Sequence, residues 1–325
     1  MTVQQQTILE CDTKETAGIV NVASVPQRSP FRYPGGKTWF VPRLRAWLES
    51  RPSKPEKLIE PFLGGGVISL TSVAEELVGS AIMLEVDQEV ASIWKLISSG
   101  DCDWLADEIL SFEMTYDNVV DAIEKEPKST RELAFRTILK NRCYHGGILA
   151  EGSGLLKYGE AGKWVASRWY PDTLARRLRD IDSYHQKLEF YEKDAFLVLD
   201  EYGEDENVVF FIDPPYTAGG KKAGSRLYRH HELDHAKLFD MCAGLAGDFI
   251  MTYDNADEVM DLAEKHNLEY RPIPMRNTHH AAMNELVIGR DLDWMEGIEL
   301  ALKKKAEINH LKKKAKLLTK NVVKA

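Results

Sequence analysis

One tetrapeptide combines residue types that suit chemistry at an amino group. Asp213-Pro214-Pro215-Tyr216 directly follows the apolar run Val208 to Ile212, so we expect it at the carboxyl end of a buried strand. The carboxylate of Asp213 and the carbonyl of Pro214 can accept the two hydrogens of a conjugated amino group and localise its lone pair, while the prolines fix both acceptors. Tyr216 offers a flat face on which a base can stack. The alternative is a strand-terminating turn, because Asp-Pro is a common turn former.

A glycine-rich segment follows an earlier predicted strand. Lys57 to Glu60 is followed by Pro61-Phe62-Leu63-Gly64-Gly65-Gly66, and such a turn lets backbone amides approach a ligand at the carboxyl edge of a sheet. The spacing does not match the Gly-x-Gly-x-x-Gly dinucleotide motif, because the glycines are consecutive. Glu85 ends the next predicted strand about twenty residues further on, where a carboxylate can accept hydrogen bonds from both ribose hydroxyls. The pair favours a nucleoside ligand over a tight turn without one.

A second glycine pair precedes a lysine near the start of the chain. Gly35-Gly36-Lys37-Thr38 resembles the end of a phosphate-binding loop, but Phe31 stands where that motif requires its first glycine. A large aromatic residue cannot adopt that loop's backbone geometry, which excludes a phosphate loop. Gly36 and Lys37 can instead hold the carboxylate of an amino-acid-like ligand.

The elements that position these residues alternate along the chain. Short apolar runs separated by helical stretches predict an α/β fold with a parallel sheet wrapped by helices. The predicted strands are Lys57 to Glu60, Ala81 to Leu84, Val208 to Ile212, Phe249 to Tyr253 and Leu286 to Ile288, with a helix over Val67 to Val78. Helical periodicity dominates from 101 to 188. We therefore predict a discontinuous α/β domain (29–100 and 189–295), a mostly helical insert (101–188), an N-terminal extension (1–28) and a C-terminal helix (296–325).

Composition narrows the class of protein. The 325 residues carry a net charge of −9, but nine lysines and one glutamate from Lys303 onwards give the end of the chain a local charge of +8. Apolar residues three and four apart there (Ile308, Leu311, Ala315, Leu318 and Val322) predict an amphipathic helix that docks on the body or on a second subunit. The four scattered cysteines argue against a zinc site or disulfide framework. With no apolar stretch long enough for a membrane span and no signal peptide, we expect a cytoplasmic protein.

Taken in order, these motifs resemble the Dam-type DNA adenine-N6 methyltransferases, with similarity from about Pro30 to Gly289. The resemblance implies a Rossmann-like methyltransferase sheet with an inserted target-recognition domain, S-adenosyl-L-methionine as cofactor, and Asp213, Pro214 and Tyr216 as catalytic residues. Glu85 or Asp87 is the implied ribose acid. Methyl transfer from a sulfonium to an amine is a direct displacement, for which we expect no metal. The implied cofactor-binding residues are Tyr33, Gly36, Lys37, Glu60, Pro61, Phe62, Gly64, Gly65, Gly66, Glu85, Asp87, Asp194, Ala195, Phe196 and Asp213.

The resemblance also implies a double-stranded DNA partner. Asn141-Arg142-Cys143-Tyr144 is similar to a DNA-reading segment of the family, but the segment after it lacks the arginine that GATC-specific members carry. Arginine is the usual reader of guanine edges, so GATC is not the expected target. A basic segment follows the catalytic motif and is similar to a loop that closes over DNA. The implied DNA-binding residues are Arg142, Tyr144, Lys157, Lys221, Arg226, Tyr228 and Asn277.

Alternative functions remain open at this point. A catalytically silent DNA-binding protein on the same scaffold, or an adenine methyltransferase acting on RNA, would share most of these motifs. Amide methyltransferases generally carry asparagine in place of Asp213, which counts against that class. A nicotinamide-dependent enzyme is disfavoured by the glycine spacing. The sequence leaves open the recognised DNA site, the oligomeric state, and whether a cognate restriction endonuclease or other defence components accompany the protein.

Overall fold

The computed structural model describes residues 18–33, 35–156, 162–215, 233–276 and 282–322. Six residues predicted to act at the site or on DNA lie outside these ranges, namely Lys157, Tyr216, Lys221, Arg226, Tyr228 and Asn277. Among the helices in these ranges, none combines the length and apolar character needed to cross a membrane.

The described residues build a seven-stranded sheet in the order β3-β2-β1-β4-β5-β7-β6. Strands β1 to β5 pair in parallel, whereas β7 lies antiparallel between β5 and β6. The predicted α/β, Rossmann-like fold is confirmed. The strands are β1 Lys57–Glu60, β2 Ser80–Leu84, β3 Leu188–Tyr191, β4 Val208–Ile212, β5 Asp248–Asp254, β6 Glu269–Arg276 and β7 Ala282–Gly289.

Two of these strands, β3 and β6, are additional to the predicted ones. β3 has four residues, too few for a periodic pattern, and lies at one edge of the sheet. β6 lies at the other edge and contains Pro272 and Pro274, which cannot donate backbone hydrogen bonds. Proline is tolerated at a sheet edge but argues against a strand when only the sequence is considered.

The sheet is covered on both faces, which explains its continuous apolar runs. Along β4, Val209 and Phe211 belong to one hydrophobic cluster, while Val208, Phe210 and Ile212 belong to the other. The strand order reverses between β1 and β4, and in open α/β sheets ligands bind in the crevice at the carboxyl ends of such strands. The segments after β1, β2 and β4 carry the predicted cofactor and catalytic motifs.

Helices fill the connections between strands. The predicted helix at Val67 ends four residues early, at Ala74. The described part of the connection from β2 to β3, which leaves out residues 157–161, contains five α-helices, in which α3 packs against α6 and α4 against α7. Helices from this insert contribute to the same hydrophobic cluster as one face of the sheet. The helices are α1 Val41–Glu49, α2 Val67–Ala74, α3 Gln88–Ser98, α4 Cys102–Ser111, α5 Tyr116–Glu124, α6 Thr130–Cys143, α7 Pro171–Asp182, α8 Ala195–Glu201, α9 His235–Gly244, α10 Asp257–Lys265 and α11 Met295–Val322.

Arg43 on α1 contacts the first described residue and the start of the last helix. The Arg43 side chain is fully buried, pairs with Glu299 of α11 at 2.7 Å, and donates to the carbonyl of Gly18. Val20 and Val25 are also buried, so the described part of the predicted N-terminal extension, residues 18–28, packs on the body of the protein. α11 is helical as predicted. Two members of its apolar stripe, Ile308 and Leu311, are exposed, so docking of that stripe stays a prediction.

Candidate active site

A cavity of about 320 Å³ lies at the crevice where the strand order reverses. Its walls come from the segment before α1, from the turn after β1, from the end of β2 and from the residues after β4. Nearly all the predicted cofactor-binding residues line it, together with Pro214 and Pro215. The predicted residues in its wall are Tyr33, Gly36, Lys37, Glu60, Pro61, Phe62, Gly64, Gly65, Gly66, Glu85, Asp87, Asp194, Ala195 and Asp213.

The conformation and packing of the glycine turn require glycine at positions 64 and 66. Gly64 and Gly66 have φ angles of +46° and +62°, a region that disfavours other residues. A Cβ on Gly66 would lie 2.5 Å from the ring of Trp94, and one on Gly64 would lie 2.5 Å from the ring of Tyr33. The indole of Trp94 also donates to the Gly64 carbonyl at 3.1 Å. The turn therefore presents bare backbone to the cavity between two aromatic rings.

Glu85 faces the cavity from the end of β2. Its carboxylate accepts hydrogen bonds from the backbone amides of Gly64 and Asp87 at 3.1 and 3.0 Å. Burial raises the pKa of Glu85 to about 7, although its backbone hydrogen bonds act in the opposite direction. Asp87 has a different task, because one of its carboxylate oxygens accepts from the amide of Glu89 at 2.9 Å and caps α3. Asp87 caps a helix and Glu85 does not, so Glu85 is the better candidate of the two acids for binding a ligand.

The carboxylate of Asp213, the residue predicted to be catalytic, is held by two side chains. Thr252 of β5 donates to Oδ1 of Asp213 at 2.8 Å. The ammonium of Lys37 lies 2.8 Å from Oδ2 of Asp213 and also donates to the Gly35 carbonyl. Lys37 was predicted to hold the carboxylate of an amino-acid-like ligand, but its ammonium is directed to Asp213. Each carboxylate oxygen of Asp213 thus has its own donor, which fixes the orientation of the carboxylate.

Two further carboxyl groups stand close to this pair. Glu285 of β7 lies 3.6 Å from the Lys37 ammonium, and burial raises its pKa to about 7. Glu60 accepts from both the amide and the hydroxyl of Ser69 on α2, and burial raises its pKa to about 8. The buried ammonium of Lys37 thus has three carboxyl groups near it. Ionising all three carboxyl groups at neutral pH would carry a large desolvation penalty.

Comparison with known proteins agrees with this geometry. Residues 33–272 match the family of D12 class N6 adenine-specific DNA methyltransferases. The chain belongs to this family. The matched range begins at Tyr33 in the cavity wall and includes the turn after β1, the insert and Asp213. The predicted family resemblance and the predicted adenine-specific DNA methyltransferase activity are confirmed at this level.

Individual relatives are distant. The chain is 23% identical over 224 residues to the Type II methyltransferase M.MjaIII of Methanocaldococcus jannaschii, covering 63% of this chain and 75% of that protein. It is 24% identical over 231 residues to a DNA N-6-adenine-methyltransferase of Escherichia phage P1, covering 68% of this chain but 28% of the phage protein. Among solved structures, a precorrin-6y C5,15-methyltransferase from Geobacter metallireducens aligns over 77% of this chain and 86% of its own at 10% identity. Its TM-score of 0.31 is too low to carry an argument.

The segment Asp194 to Phe196, predicted to bind the cofactor, is only partly in the cavity wall. Asp194 and Ala195 line the cavity, and Asp194 caps α8 by accepting from the amide of Phe196 at 2.9 Å. Phe196 is not in the lining. Its ring instead lies 4.6 Å from the ammonium of Lys237 on α9.

Arg142, one of the residues predicted to contact DNA, lies inside the protein in this methyltransferase. Its side chain is only 4% exposed and donates to the carbonyl of Pro30. Burial lowers the pKa of Arg142 to about 9, and the neighbouring Arg177 and Arg32 act in the same direction. Enclosed in this way, the guanidinium secures the segment leading to Tyr33 and is not presented to DNA.

The neighbouring residues of α6 behave similarly. Asn141 accepts from the amide of Arg32 and donates to the carbonyls of Arg32 and Gly147. Tyr144 is half-buried and forms an isolated bridge with Leu155. The insert therefore braces one wall of the cavity, to which Gly147 also belongs. A DNA contact by Tyr144 stays a prediction.

Sequence reasoning missed Thr252 and Glu285 as site residues. Thr252 is a polar residue inside an apolar strand, and Glu285 directly precedes the apolar residues of the last predicted strand. Each is buried, and a buried polar residue in a strand needs a partner. That signal marks the positions but cannot name Asp213 and Lys37 as the partners.

Proposed function

We propose that the protein transfers a methyl group from S-adenosyl-L-methionine to N6 of an adenine flipped out of double-stranded DNA. The observation that carries this proposal is the position of Asp213, which lies in the cavity wall with each carboxylate oxygen held by a separate donor. A carboxylate oxygen has lone pairs for more than one hydrogen bond. Asp213 can therefore accept an amino hydrogen while Thr252 and Lys37 hold it still.

Pro214 supplies the second acceptor. It is buried, lines the cavity and follows Asp213 directly, so its carbonyl and the carboxylate are held a short distance apart. Drawing both amino hydrogens away from the ring returns the lone pair to nitrogen, which makes the nitrogen nucleophilic. Tyr216, outside the described residues, is proposed to stack on the flipped base.

The lining fits S-adenosyl-L-methionine, which supplies an electrophilic methyl group on a sulfonium. The cavity volume lies within the range of about 300–1,000 Å³ usual for ligand sites. Gly64, Gly65 and Gly66 present backbone where any Cβ on Gly64 or Gly66 would clash, so a ligand can approach the turn closely. Glu85 can accept from ribose hydroxyls, and Asp194 with Ala195 can contact the nucleoside base. The ammonium of Lys37 serves Asp213.

The DNA side of the proposal rests on family membership. Lys157, Lys221, Arg226, Tyr228 and Asn277 are proposed to contact the duplex, and the helical insert to read the target. The relative from Methanocaldococcus jannaschii is named as a Type II methyltransferase. By that likeness we propose that a cognate restriction endonuclease recognises the same site in the same cytoplasm.

Expression of the protein in cells that lack adenine methylation tests the proposal. Direct sequencing of their DNA should reveal N6-methyladenine in one short sequence context, and the Asp213→Ala variant should leave the DNA unmodified. Purified protein should transfer label from S-adenosyl-L-methionine to duplex DNA. Label appearing on RNA but not on any duplex would contradict the proposed substrate.

A further inference from the structure

The ammonium of Lys37 lies close to two carboxyl groups, one directly after β4 and one on β7. It is 2.8 Å from Asp213 at the end of β4 and 3.6 Å from Glu285 on β7. Its side chain is only 4% exposed. Lysine is almost never this buried unless paired, and an ammonium needs only one carboxylate to be neutralised. The second carboxylate is therefore not required merely to balance Lys37.

The reaction proposed above has an unmet requirement. When the amino nitrogen bonds to the methyl carbon, the carbon–sulfur bond breaks and its electron pair stays on sulfur. The nitrogen then carries one proton too many, and the N–H electron pair must return to nitrogen to restore conjugation with the ring. The site must therefore remove one proton for each methyl group transferred.

We propose that Glu285 takes up this proton, with Asp213 as the first acceptor and the Lys37 ammonium as the relay. Asp213 receives the proton from the amino nitrogen and becomes neutral. Lys37 then gives one of its own protons to Glu285 and takes the proton of Asp213. The ammonium is regenerated, Asp213 is again a carboxylate, and the net change is one proton moved from the base to Glu285. This inference rests on the proposed function.

The geometry gives the relay a direction. The gap between Lys37 and Glu285 exceeds the usual N–H···O range of about 2.7–3.2 Å, so in the resting site Lys37 is bonded chiefly to Asp213. Once Asp213 is neutral, its attraction for the ammonium is lost. The remaining carboxylate on the other side, Glu285, then draws Lys37 towards itself. Proton uptake by Asp213 thus brings Lys37 into contact with Glu285, to which Lys37 then transfers a proton.

The surroundings of Glu285 suit a group that both accepts and releases a proton. The charged groups facing it are Lys37, Asp213 and Asp254, and Ile273 lies opposite it on β6. Burial and the two aspartates raise the pKa of Glu285 to about 7, while Lys37 acts in the opposite direction. Both protonation states are therefore populated near neutral pH. Asp254 lies opposite Glu285 in the β5–β7 register and is partly exposed.

The test compares Glu285→Gln with Asp254→Asn in steady-state methylation of duplex DNA at saturating cofactor from pH 6 to 8, because Asp213 must lose its proton before a second methyl group can be transferred. In the wild type, the methylation rate should rise through about pH 7, because only ionised Glu285 can accept. Glu285→Gln should lose this rise and run at least about tenfold slower above pH 7, near the lower end of general-base effects. Asp254→Asn should keep the rise but move it to lower pH, because Asp254 is one of the groups that raise the pKa of Glu285. Glu285→Asp, which retains a carboxylate, should also keep it at a reduced rate.

Calorimetry supplies a readout that does not depend on turnover. Glu285→Gln should bind S-adenosyl-L-methionine with the wild-type dissociation constant, because Glu285 does not line the cavity. A Glu285→Gln variant with the wild-type rate and pH profile would overturn the inference. So would a wild-type rate that is flat from pH 6 to 8, whatever the variants do. A wild-type protein that methylates no adenine would instead contradict the proposed function.

Discussion

The two ends of the cavity are built by different means. At the glycine end, formed by Gly64, Gly65, Gly66 and Glu85, the wall is backbone that packs between the rings of Tyr33 and Trp94. At the charge end, formed by Lys37, Asp213 and Glu285, the side chains are ionisable: Lys37 and Asp213 line the wall, and Glu285 lies 3.6 Å from the Lys37 ammonium without lining it. Adding side-chain volume at the glycine end should therefore impair cofactor binding and stability. At the charge end, removing a charge without changing the shape of the side chain should impair methyl transfer.

The largest effect is expected at Asp213. Asp213→Ala should lower kcat by about 10³-fold or more, since removing one preorganised electrostatic partner already costs about 10²–10³-fold. Its dissociation constant for S-adenosyl-L-methionine should change little. Asp213→Asn keeps the shape but loses the charge, and should be nearly as inactive. An active Asp213→Asn variant would show that shape, not charge, defines this end.

The next largest effect concerns Gly66. Gly66→Ala places a methyl group 2.5 Å from the Trp94 ring at a φ of +62°, so the turn must move. We expect a loss of about 2–3 kcal/mol in the free energy of unfolding, from strain and overpacking together, with weaker cofactor binding. Urea denaturation and calorimetry measure the two effects. The matched control is Gly244→Ala, where no atom lies within 4 Å of the added Cβ and stability should not fall.

A moderate effect is expected at Glu85. Glu85→Gln should weaken cofactor binding about tenfold, the cost of replacing a charged hydrogen-bond acceptor by a neutral one. Because the pKa of Glu85 is raised to about 7, wild-type affinity should fall as pH drops through about 7, and the variant should not show that fall. Asp87→Asn is the control, because asparagine caps a helix as well as aspartate does. A weaker Asp87→Asn variant with an unaffected Glu85→Gln would reverse the assignment of the ribose acid.

The last effect concerns protein stability and Glu60, which lies in the cavity wall. The folded protein raises the pKa of Glu60 to about 8, so folding favours its protonated form. The contribution of Glu60 to stability is therefore fully present below the ordinary carboxyl pKa and is lost as pH rises through about 8. Glu60→Gln should reduce the loss of unfolding free energy between pH 5 and 9. Urea denaturation at several pH values checks this, and a variant as pH-dependent as the wild type would contradict it.

The fold was predictable where local pattern and tertiary environment agree. Val208 to Ile212 is apolar because both faces of β4 are covered, and the run could be recognised with its bounds intact. β6 was not predictable, because two prolines that only a sheet edge tolerates disguise it. Arg142 shows the same limit for function: a basic residue in a family motif suggests a DNA contact, yet here it is enclosed and bonded to Pro30.

The sequence by itself determined the chemistry of the single segments: a carboxylate after an apolar strand, a glycine turn after another, and an acid ending a third. These are local facts, since each depends on neighbours within a few residues along the chain. Only the tertiary structure decided that Lys37, Asp213, Thr252 and Glu285 form one group, because their segments are far apart in sequence and meet through strand order. Burial, which sets the protonation of Glu60, Glu85 and Glu285, likewise exists only once the sheet and its helices have packed.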